Sequence, residues 1–390
     1  MDKLWVKQLR DQFPAAQKTA FFDIAYENCG SAAVQEASEQ YFRDKAYLYT
    51  GMVKAGGSGK GKTIDVMART RQKLAQFLGA KSEKNIAFTA NTCQAISLAL
   101  QGLSFAPGQH ILVGDIEHVS VLMPCLHMRQ RGVECKIVHS EDGLSITAEQ
   151  LLENIDEHTR VVAVSYVQSC SGYQIDLKKL VDGCHARGVL VLTDAIQALG
   201  LKKIDVQVLG VDALAASGYK GMLATEGQGF LCCSDDYLAQ LQPALAGANP
   251  VLTLDRQTMT IQCKDPLDAR KLEAGTIPFQ SIYGLEAGLD CLMNVGLEEI
   301  GRHVSVCYET IYRGLEQLGY RLATPFVAEH RCNSMLLCTD DNRRLQQFFQ
   351  ENGVFFSVGK EGYCRISVAP YTTQEDIDRL LEVAALWKQQ

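Results

Sequence analysis

Hydrophobic positions along this chain follow two alternating patterns. Short apolar runs end abruptly in polar residues, as where VLVLT is followed by Asp194 and ALAA by Ser217. Runs of that length predict strands buried on both faces, the usual state in a parallel sheet. Between such runs lie segments with apolar residues at helical spacing, for example IDVMARTRQKLAQFL, which stops at Gly79. The alternation predicts an α/β domain in which helices wrap a mostly parallel sheet of about seven strands.

The pattern changes near residue 281. From there it predicts a long helix, two strands, a helix, a strand pair and a last helix, which together make a separate small α+β domain. Thr372 and Glu375 have the spacing of a capping box at the start of the last helix. Near the N-terminus, Pro14 interrupts a short helix. We therefore predict an N-terminal arm over residues 1–20, a large domain over 21–280 and a small C-terminal domain over 281–390.

Composition narrows the function classes. The 390 residues are 47% hydrophobic and 21% charged, and the net charge of -7 provides no basic footprint for nucleic acid or an anionic membrane. No apolar run is long enough to span a bilayer and the N-terminus does not resemble a signal peptide, so we expect a cytoplasmic protein. The 14 cysteines are scattered and form no CxxC pair, which argues against a disulfide framework and a structural zinc site. We expect small molecules and copies of the same chain as partners.

Candidate chemistry lies at the carboxyl ends of two predicted strands. Asp194 ends one strand and Lys220 follows the next, so both side chains are expected at the sheet edge where open α/β sheets bind ligands. Pyridoxal phosphate requires such a pair, a lysine that bonds to its aldehyde and an acid that keeps its pyridine nitrogen protonated. A strand-end salt bridge, or an aspartate that caps the next helix, is the alternative interpretation.

The segment from Thr89 to Cys93 is a candidate phosphate site. It forms a turn into a helix, where unpaired backbone amides and the Thr92 hydroxyl favour an anion. Thr92 as an ordinary N-cap is the alternative.

A second glycine-rich segment, AGGSGKGKT, matches the spacing of a nucleotide-binding phosphate loop. Gly56, Gly61, Lys62 and Thr63 satisfy the pattern GxxxxGKT, which favours an NTPase when taken alone. The preceding stretch is charged and aromatic instead of a buried strand, and no apolar run ending in acids follows nearby as a magnesium site. The NTPase is therefore a disfavoured alternative.

The sequence motifs around these residues resemble those of one family. DAIQALG, GVDALAASGYKG and GQGFL are similar to the lysine region of the class V aminotransferases, which include cysteine desulfurases, selenocysteine lyases, isopenicillin N epimerases and kynureninases. TxNTxxAI resembles the family's phosphate-binding turn, and Glu273, Gly275 and Thr276 match its EGT segment. The matched segments extend over nearly the whole chain. The resemblance implies the fold of type I pyridoxal phosphate-dependent transferases and an obligate homodimer.

The resemblance also implies roles for individual residues. Lys220 binds the cofactor and then acts as general base and acid on the substrate's α-carbon. The expected cofactor-binding residues are Thr92, Cys93, His118, Ser169, Asp194, Gln197, Ser217 and, from the neighbouring subunit, Thr276. Ser169 stands where desulfurases have an asparagine. The expected residues for an amino acid substrate are Ala25, Asn28, Tyr49 and Arg365, the last of which grips its carboxylate.

The reaction type depends on a missing residue. Desulfurases carry a nucleophilic cysteine on a loop before the arginine, whereas this chain has VFFSVGKEGY there. Cys364 is next to Arg365 on a predicted strand, so its side chain faces the opposite way, and Cys338 lies in a strand that we expect to be buried. We therefore expect a lyase that performs β-elimination on a cysteine-like or selenocysteine-like substrate, or an aminotransferase. An epimerase and a desulfurase of the same family are the alternatives.

Overall fold

The computed structural model describes residues 3–47, 62–247 and 249–389. In those ranges the helices are α1 (Leu4–Arg10), α2 (Ala32–Tyr47), α3 (Lys62–Leu78), α4 (Thr92–Gly102), α5 (Val119–His127), α6 (Ala148–Glu153), α7 (Leu177–His185), α8 (Val206–Leu209), α9 (Asp235–Gln240), α10 (Phe279–Val295), α11 (Leu297–Gln317), α12 (Asn342–Glu351) and α13 (Gln374–Trp387). The strands are β1 (Ala20–Phe21), β2 (Ile86–Thr89), β3 (His110–Gly114), β4 (Glu134–Val138), β5 (Thr159–Ser165), β6 (Leu190–Asp194), β7 (Ala213–Ser217), β8 (Gly229–Cys233), β9 (Leu252–Asp255), β10 (Thr260–Cys263), β11 (Ser334–Cys338), β12 (Val354–Phe355), β13 (Ser357–Val358) and β14 (Tyr363–Ser367).

Seven strands form the central sheet, in the order β2-β8-β7-β6-β5-β3-β4. Only β8 runs antiparallel to its neighbours, so the prediction of a mostly parallel seven-stranded sheet is confirmed. Strands β6 and β7 are buried along their whole length, as expected for a sheet covered on both faces. The register pairs Ser165 with Asp194 and Asp194 with Ala215, which brings the polar carboxyl ends of these strands together.

The C-terminal part contains a three-stranded antiparallel sheet in the order β11-β14-β13. Strand β1 pairs with β12, and Asp23 forms an isolated bridge to Ser367 at the end of β14. The residues on either side of the predicted boundary between arm and large domain thus pair with the C-terminal strands. This pairing places Asp23 close to Arg365, although the two residues are far apart in the sequence.

The capping box that we predicted for the last helix is wrong by one residue. Thr373 caps α13 and pairs with Asp376, whereas the Thr372 hydroxyl accepts a hydrogen bond from the Ala369 N–H in the preceding turn. The two threonines are adjacent, and the turn geometry decides which of them caps the helix. The predicted stop at Gly79 is correct, since this residue follows α3 with a φ of 64°, where glycine is favoured.

Two other expectations concern membranes and cysteines. Within the ranges that the structure describes, no helix has the length and apolar character needed to cross a membrane. All 14 cysteines are free. Cys232 and Cys233 are buried, but Cys338 is only half-buried, contrary to our expectation, because it ends β11 at the surface.

Candidate active site

Lys220 lies in a tight loop that follows β7. The Gly218 N–H donates to the carbonyl of Gln228, and the Ala224 N–H donates back to the carbonyl of Gly218. Gly200 has a φ of 80°, and a Cβ added there would lie 1.9 Å from the carbonyl oxygen of Gly221. Gly200 and Gly221 therefore permit a close backbone contact that larger residues would block. This contact fixes the loop that presents Lys220 to the sheet edge.

Lys220 is a buried amine, with 7% of its surface exposed. Burial, followed by the positive charge of Arg365, lowers its pKa to about 8, against the charges of Asp194 and Asp23. A large fraction of the amine is therefore unprotonated slightly above neutral pH. An unprotonated amine can act as a nucleophile or a base, so the position suits covalent chemistry with an aldehyde.

Asp194 ends β6 and is 4% exposed. Its Oδ1 accepts a hydrogen bond from the Ile196 N–H at 2.9 Å, and burial raises its pKa to about 6 despite that bond and the charge of Lys220. Although both residues are described, no hydrogen bond or ion pair joins Asp194 to Lys220. The salt-bridge interpretation therefore fails, and the capping interpretation holds only for the single bond to Ile196. The buried carboxylate retains acceptor capacity for a protonated ring nitrogen.

A cavity of about 220 Å³ joins these two residues to several others that we predicted. The predicted cofactor residues that line it are Thr92, Cys93, His118, Asp194, Ser217 and Lys220. Asn91, Ser120, Ile196 and Tyr219 complete the lining. Residues from four separate stretches of the sequence thus meet in one place.

One end of the cavity is built to accept an anion. The Ser217 Oγ accepts the Thr92 N–H at 2.8 Å and lies 3.0 Å from the Thr92 Oγ1, at the N-terminus of the eleven-residue helix α4. Asn91, and not Thr92, caps this helix, because its side chain accepts the Gln94 N–H. The Thr92 hydroxyl is therefore not used as a cap. Two hydroxyls and a helix N-terminus are donors that suit a phosphate.

His118 is exposed and is the N-cap residue of α5. Its Nδ1 accepts the Ser120 N–H at 3.1 Å, which leaves Nε2 to carry the proton in the neutral ring. Partial burial and the charges of Lys220 and Arg365 lower its pKa. Gln197 is buried just behind the cavity wall, where its Nε2 donates to the carbonyl of Ala25 at 3.0 Å.

Arg365 projects from β14 and is held on one side only. Its Nη1 donates to the carbonyl of Ser169 at 2.8 Å, and its Nη2 makes a long contact of 3.4 Å with the Ser357 Oγ. Its Nε is buried and has no hydrogen-bond partner among the described residues. A buried donor without a partner is costly, so an acceptor from a ligand fits this edge of the guanidinium. Ser169 reaches Arg365 through its carbonyl, which differs from the side-chain role implied by the resemblance.

Asp23 is a charged group at this site that our sequence analysis missed. The Ser357 hydroxyl donates to its Oδ1, and the charges of Arg365 and Lys220 both lower its pKa, although burial raises it overall. Asp23 therefore lies within electrostatic range of both cations of the site. The only sequence signal was an acid after the short apolar run FF, which by itself does not distinguish a site residue from a surface residue.

The remaining predicted residues lie around the site or outside it. Asn28 supports the lysine loop, because its Nδ2 donates to the carbonyls of Tyr219 at 2.6 Å and Ala224 at 2.9 Å. The Ala25 N–H donates to the Ser367 Oγ at 3.0 Å. Thr276 is exposed and does not line the cavity of its own chain.

Two of the predictions fall at least partly outside the described residues. Tyr49 and the two glycines of the phosphate-loop pattern, Gly56 and Gly61, lie between residues 48 and 61, which the structure does not describe. Lys62 begins α3 and Thr63 follows it in this helix. These residues provide no test of a role in substrate binding or of nucleotide binding.

The fold and the site together define the class of protein. A buried lysine, a buried acid and two hydroxyls at a helix N-terminus share one cavity at the carboxyl edge of a mostly parallel sheet, and this donor set fits pyridoxal phosphate. The model of the family Aminotransferase class-V matches residues 30–380, so the chain belongs to this family. It is a pyridoxal phosphate-dependent enzyme that acts on amino acids as a lyase or an aminotransferase.

Individual relatives support this assignment. A probable cysteine desulfurase of Methanothermobacter thermautotrophicus is 31% identical over 303 residues, which cover 76% of this chain and 72% of the relative. The apo structure of a cysteine desulfurase from Thermococcus onnurineus NA1 has a TM-score of 0.87 at 21% identity and covers 98% of both chains. The cystine C-S lyase C-DES, in complex with its product cysteine persulfide, has a TM-score of 0.84 at 21% identity and covers 96% of this chain and 99% of that one. The two structures show that the fold is shared.

Proposed function

We propose that this enzyme is a lyase that removes the sulfur or selenium substituent from the β-carbon of a cysteine-like amino acid. The observation that carries the proposal is the residue next to Arg365 on the neighbouring strand. The register pairs Arg365 with Ser357, so a serine, and not a cysteine, occupies this part of the site. A relative named as a probable cysteine desulfurase supports sulfur-containing amino acids as the substrate class. Without a protein thiol to take the sulfur, direct elimination is the simplest outcome.

The cysteines near the site support this reading. The Cys364 thiol is fully buried on the opposite face of β14, donates to the carbonyl of Asn342 at 3.4 Å, and has a pKa that burial raises to about 12. Cys170 donates to the carbonyl of Leu144 at 3.5 Å, and burial raises its pKa as well. Both thiols are therefore weak nucleophiles at neutral pH. Cys93 lines the cavity at the end where we propose that phosphate binds.

The residues of the cavity would hold the cofactor in a defined way. Thr92 and Ser217 would bind the phosphate, together with the amides at the start of α4, including that of Cys93. Asp194 would pair with the ring nitrogen, while His118 would cover the ring and Gln197 and Ser169 would lie beside it. Pyridoxal phosphate, when bound, supplies an aldehyde that joins the substrate amine and a ring that withdraws electrons from the α-carbon.

Arg365 and Lys220 would then act on the substrate. The Nε and Nη2 edge of Arg365 would bind the α-carboxylate, with Ala25, Asn28 and Tyr49 shaping the surrounding pocket. Lys220, with a pKa near 8, would accept the proton from the α-carbon. The bond between the β-carbon and sulfur then breaks, and its electron pair leaves with the sulfur. Overall, cysteine and water yield pyruvate, ammonia and hydrogen sulfide.

A product assay tests the proposed reaction. We expect the purified enzyme, given L-cysteine without a reductant or keto acid, to release pyruvate, ammonia and sulfide in equal amounts. The variants Cys364→Ala and Cys170→Ser should keep at least about half of this activity, because neither thiol takes part. Alanine in place of pyruvate would indicate a desulfurase. Keto acid formed only when a keto acid acceptor is added would indicate an aminotransferase, and either result contradicts elimination.

We also propose that the enzyme is a homodimer in which Thr276 binds the cofactor phosphate of the partner subunit. Thr276 is exposed and outside its own cavity, which supports a role toward another chain. The change Thr276→Glu would place a negative charge beside the phosphate, so we expect about tenfold weaker cofactor binding. A co-expressed mixture of Thr276→Glu and Lys220→Ala subunits should regain activity, since each mixed dimer has one intact site. Failure to regain activity argues against the shared site.

For the location in the cell we propose the cytoplasm. The 14 free cysteines favour a compartment that keeps thiols reduced. Fractionation of cells that express the tagged protein tests this, and recovery outside the cytoplasmic fraction would contradict it.

A further inference from the structure

Glu117 is a buried carboxylate that the proposed reaction does not use. It follows β3, directly precedes His118 and is 8% exposed. Both of its oxygens accept hydrogen bonds from Ser165: the N–H donates to Oε1 at 2.9 Å, and the hydroxyl donates to Oε2. Among the described residues, no lysine or arginine forms an ion pair with it. Burying an acid without a nearby cation costs free energy, so the presence of Glu117 at this position requires an explanation.

Ser165 connects Glu117 to the acid of the cofactor site. Ser165 ends β5 and is paired in register with Asp194 at the end of β6. The next N–H, that of Tyr166, donates to the carbonyl of Asp194 at 2.8 Å. Glu117, Ser165 and Asp194 therefore form a row across three neighbouring strand ends beneath the cavity. A change at Glu117 can reach Asp194 both through the strand backbone and through space.

The charges around Glu117 are few. Burial and the negative charge of Asp194 raise its pKa to about 7. Cys125 on α5 and Cys170 after β5 also face it, but burial raises the pKa of both thiols, which stay neutral. The pKa of His118 is lowered, so this ring is neutral as well.

Asp194 is then the charged group that remains close to Glu117. Asp194 faces the Lys220 amine and takes the first negative charge, whereas Glu117 takes the second near neutral pH.

We propose that Glu117 is a positioning residue that acts through Ser165 on Asp194 and sets the negative charge beneath the cofactor ring. In its neutral form it holds the end of β5 by two hydrogen bonds and leaves one carboxylate under the ring. In its charged form it adds a second negative charge, which favours the protonated state of the cofactor. The proposal rests on the proposed place of the ring beside Asp194, and not on the reaction type.

A spectroscopic titration of the holoenzyme tests this proposal. The visible absorbance of the bound cofactor is recorded between about pH 5.5 and 9 for the wild type and for Glu117→Gln, which mimics the neutral acid. We expect the midpoint of the absorbance change to fall by about 0.5 to 1 pH unit in the variant, because a negative charge near the cofactor is removed. Ser165→Ala, which loses the hydroxyl contact but keeps the N–H, should move the midpoint in the same direction by less.

Asp212→Asn is the matched control. Asp212 is also a buried acid of the central sheet and accepts the Val191 N–H at 2.7 Å, but it precedes β7 at the opposite edge of the sheet. Its substitution should leave the midpoint unchanged even where it lowers stability. An unchanged midpoint in Glu117→Gln, or an equal shift in Asp212→Asn, overturns the proposal. If Asp194→Asn also left the spectrum unchanged, the proposed position of the cofactor ring beside Asp194 would be wrong, and not the role of Glu117.

Discussion

Lys220→Ala is expected to lose the visible absorbance of the covalently bound cofactor and at least about a thousandfold in kcat. The amine is both the group that bonds to the cofactor's aldehyde and the base for the α-carbon proton, and a general base alone contributes about 10²- to 10⁴-fold. Among the described residues that line the cavity, Lys220 is the one lysine. The absorbance spectrum and single-turnover kinetics with L-cysteine measure the two effects separately.

A matched lysine controls for the loss of positive charge. Lys202 lies outside the cavity, and its Nζ donates to the Gln174 Oε1 at 2.6 Å. Lys202→Ala should retain the absorbance and kcat within about twofold, the range usual for substitutions away from the site. If Lys220→Ala kept its visible absorbance, another residue would have to bind the cofactor covalently, and the proposed site would be wrong.

Asp194→Asn is expected to keep the cofactor but to lower kcat by about 10²- to 10³-fold. The carboxylate is buried, and an interaction between unit charges a few Å apart at an effective dielectric constant of about 20 is worth several kcal/mol. Asparagine preserves the hydrogen bond to the Ile196 N–H but cannot hold a positive ring nitrogen. The ring would then withdraw electrons less strongly from the α-carbon. Steady-state kinetics with the spectrum of the bound cofactor check both parts of this expectation.

The same substitution at Asp212 separates charge from position. Asp212→Asn also neutralises a buried acid in the sheet, yet it lies far from the cavity, so kcat should change by less than about twofold. A comparable loss in both variants would indicate a general weakening of the sheet. A normal kcat in Asp194→Asn would show that this acid does not tune the cofactor.

The sequence correctly predicted features that depend on neighbouring residues. Apolar runs ending at Asp194 and Ser217 predicted buried parallel strands, because strand burial on both faces leaves a continuous hydrophobic run. Short sequence motifs, above all those around Lys220, were also enough to predict the family. Glu273 and Thr276 extended the same match, although the role of Thr276 stays a prediction.

Local patterns were less reliable where two adjacent residues compete for the same role. Thr92 and Thr373 illustrate this. Thr92 was a possible helix cap, but the cap is Asn91, and the capping box begins at Thr373 instead of Thr372. A shift of one residue changes which hydroxyl is free for a ligand. The backbone dihedral angles at the helix start decide this, and they depend on the surrounding turn.

The sequence by itself determined the alternation of strands and helices around the central sheet, the family and the acid and lysine at the centre of the site. In the C-terminal part it was wrong at two points, because the expected long helix is the pair α10 and α11, and only one of the two strands expected after it forms, as β11. Only the tertiary structure decided which distant polar groups meet there. The contact of Ser357 with Asp23 joins residues 334 positions apart, and that of Glu117 with Ser165 joins residues 48 positions apart. Periodicity and strand-end residues are properties of adjacent positions, whereas these contacts arise from the register of strands that pair only after folding.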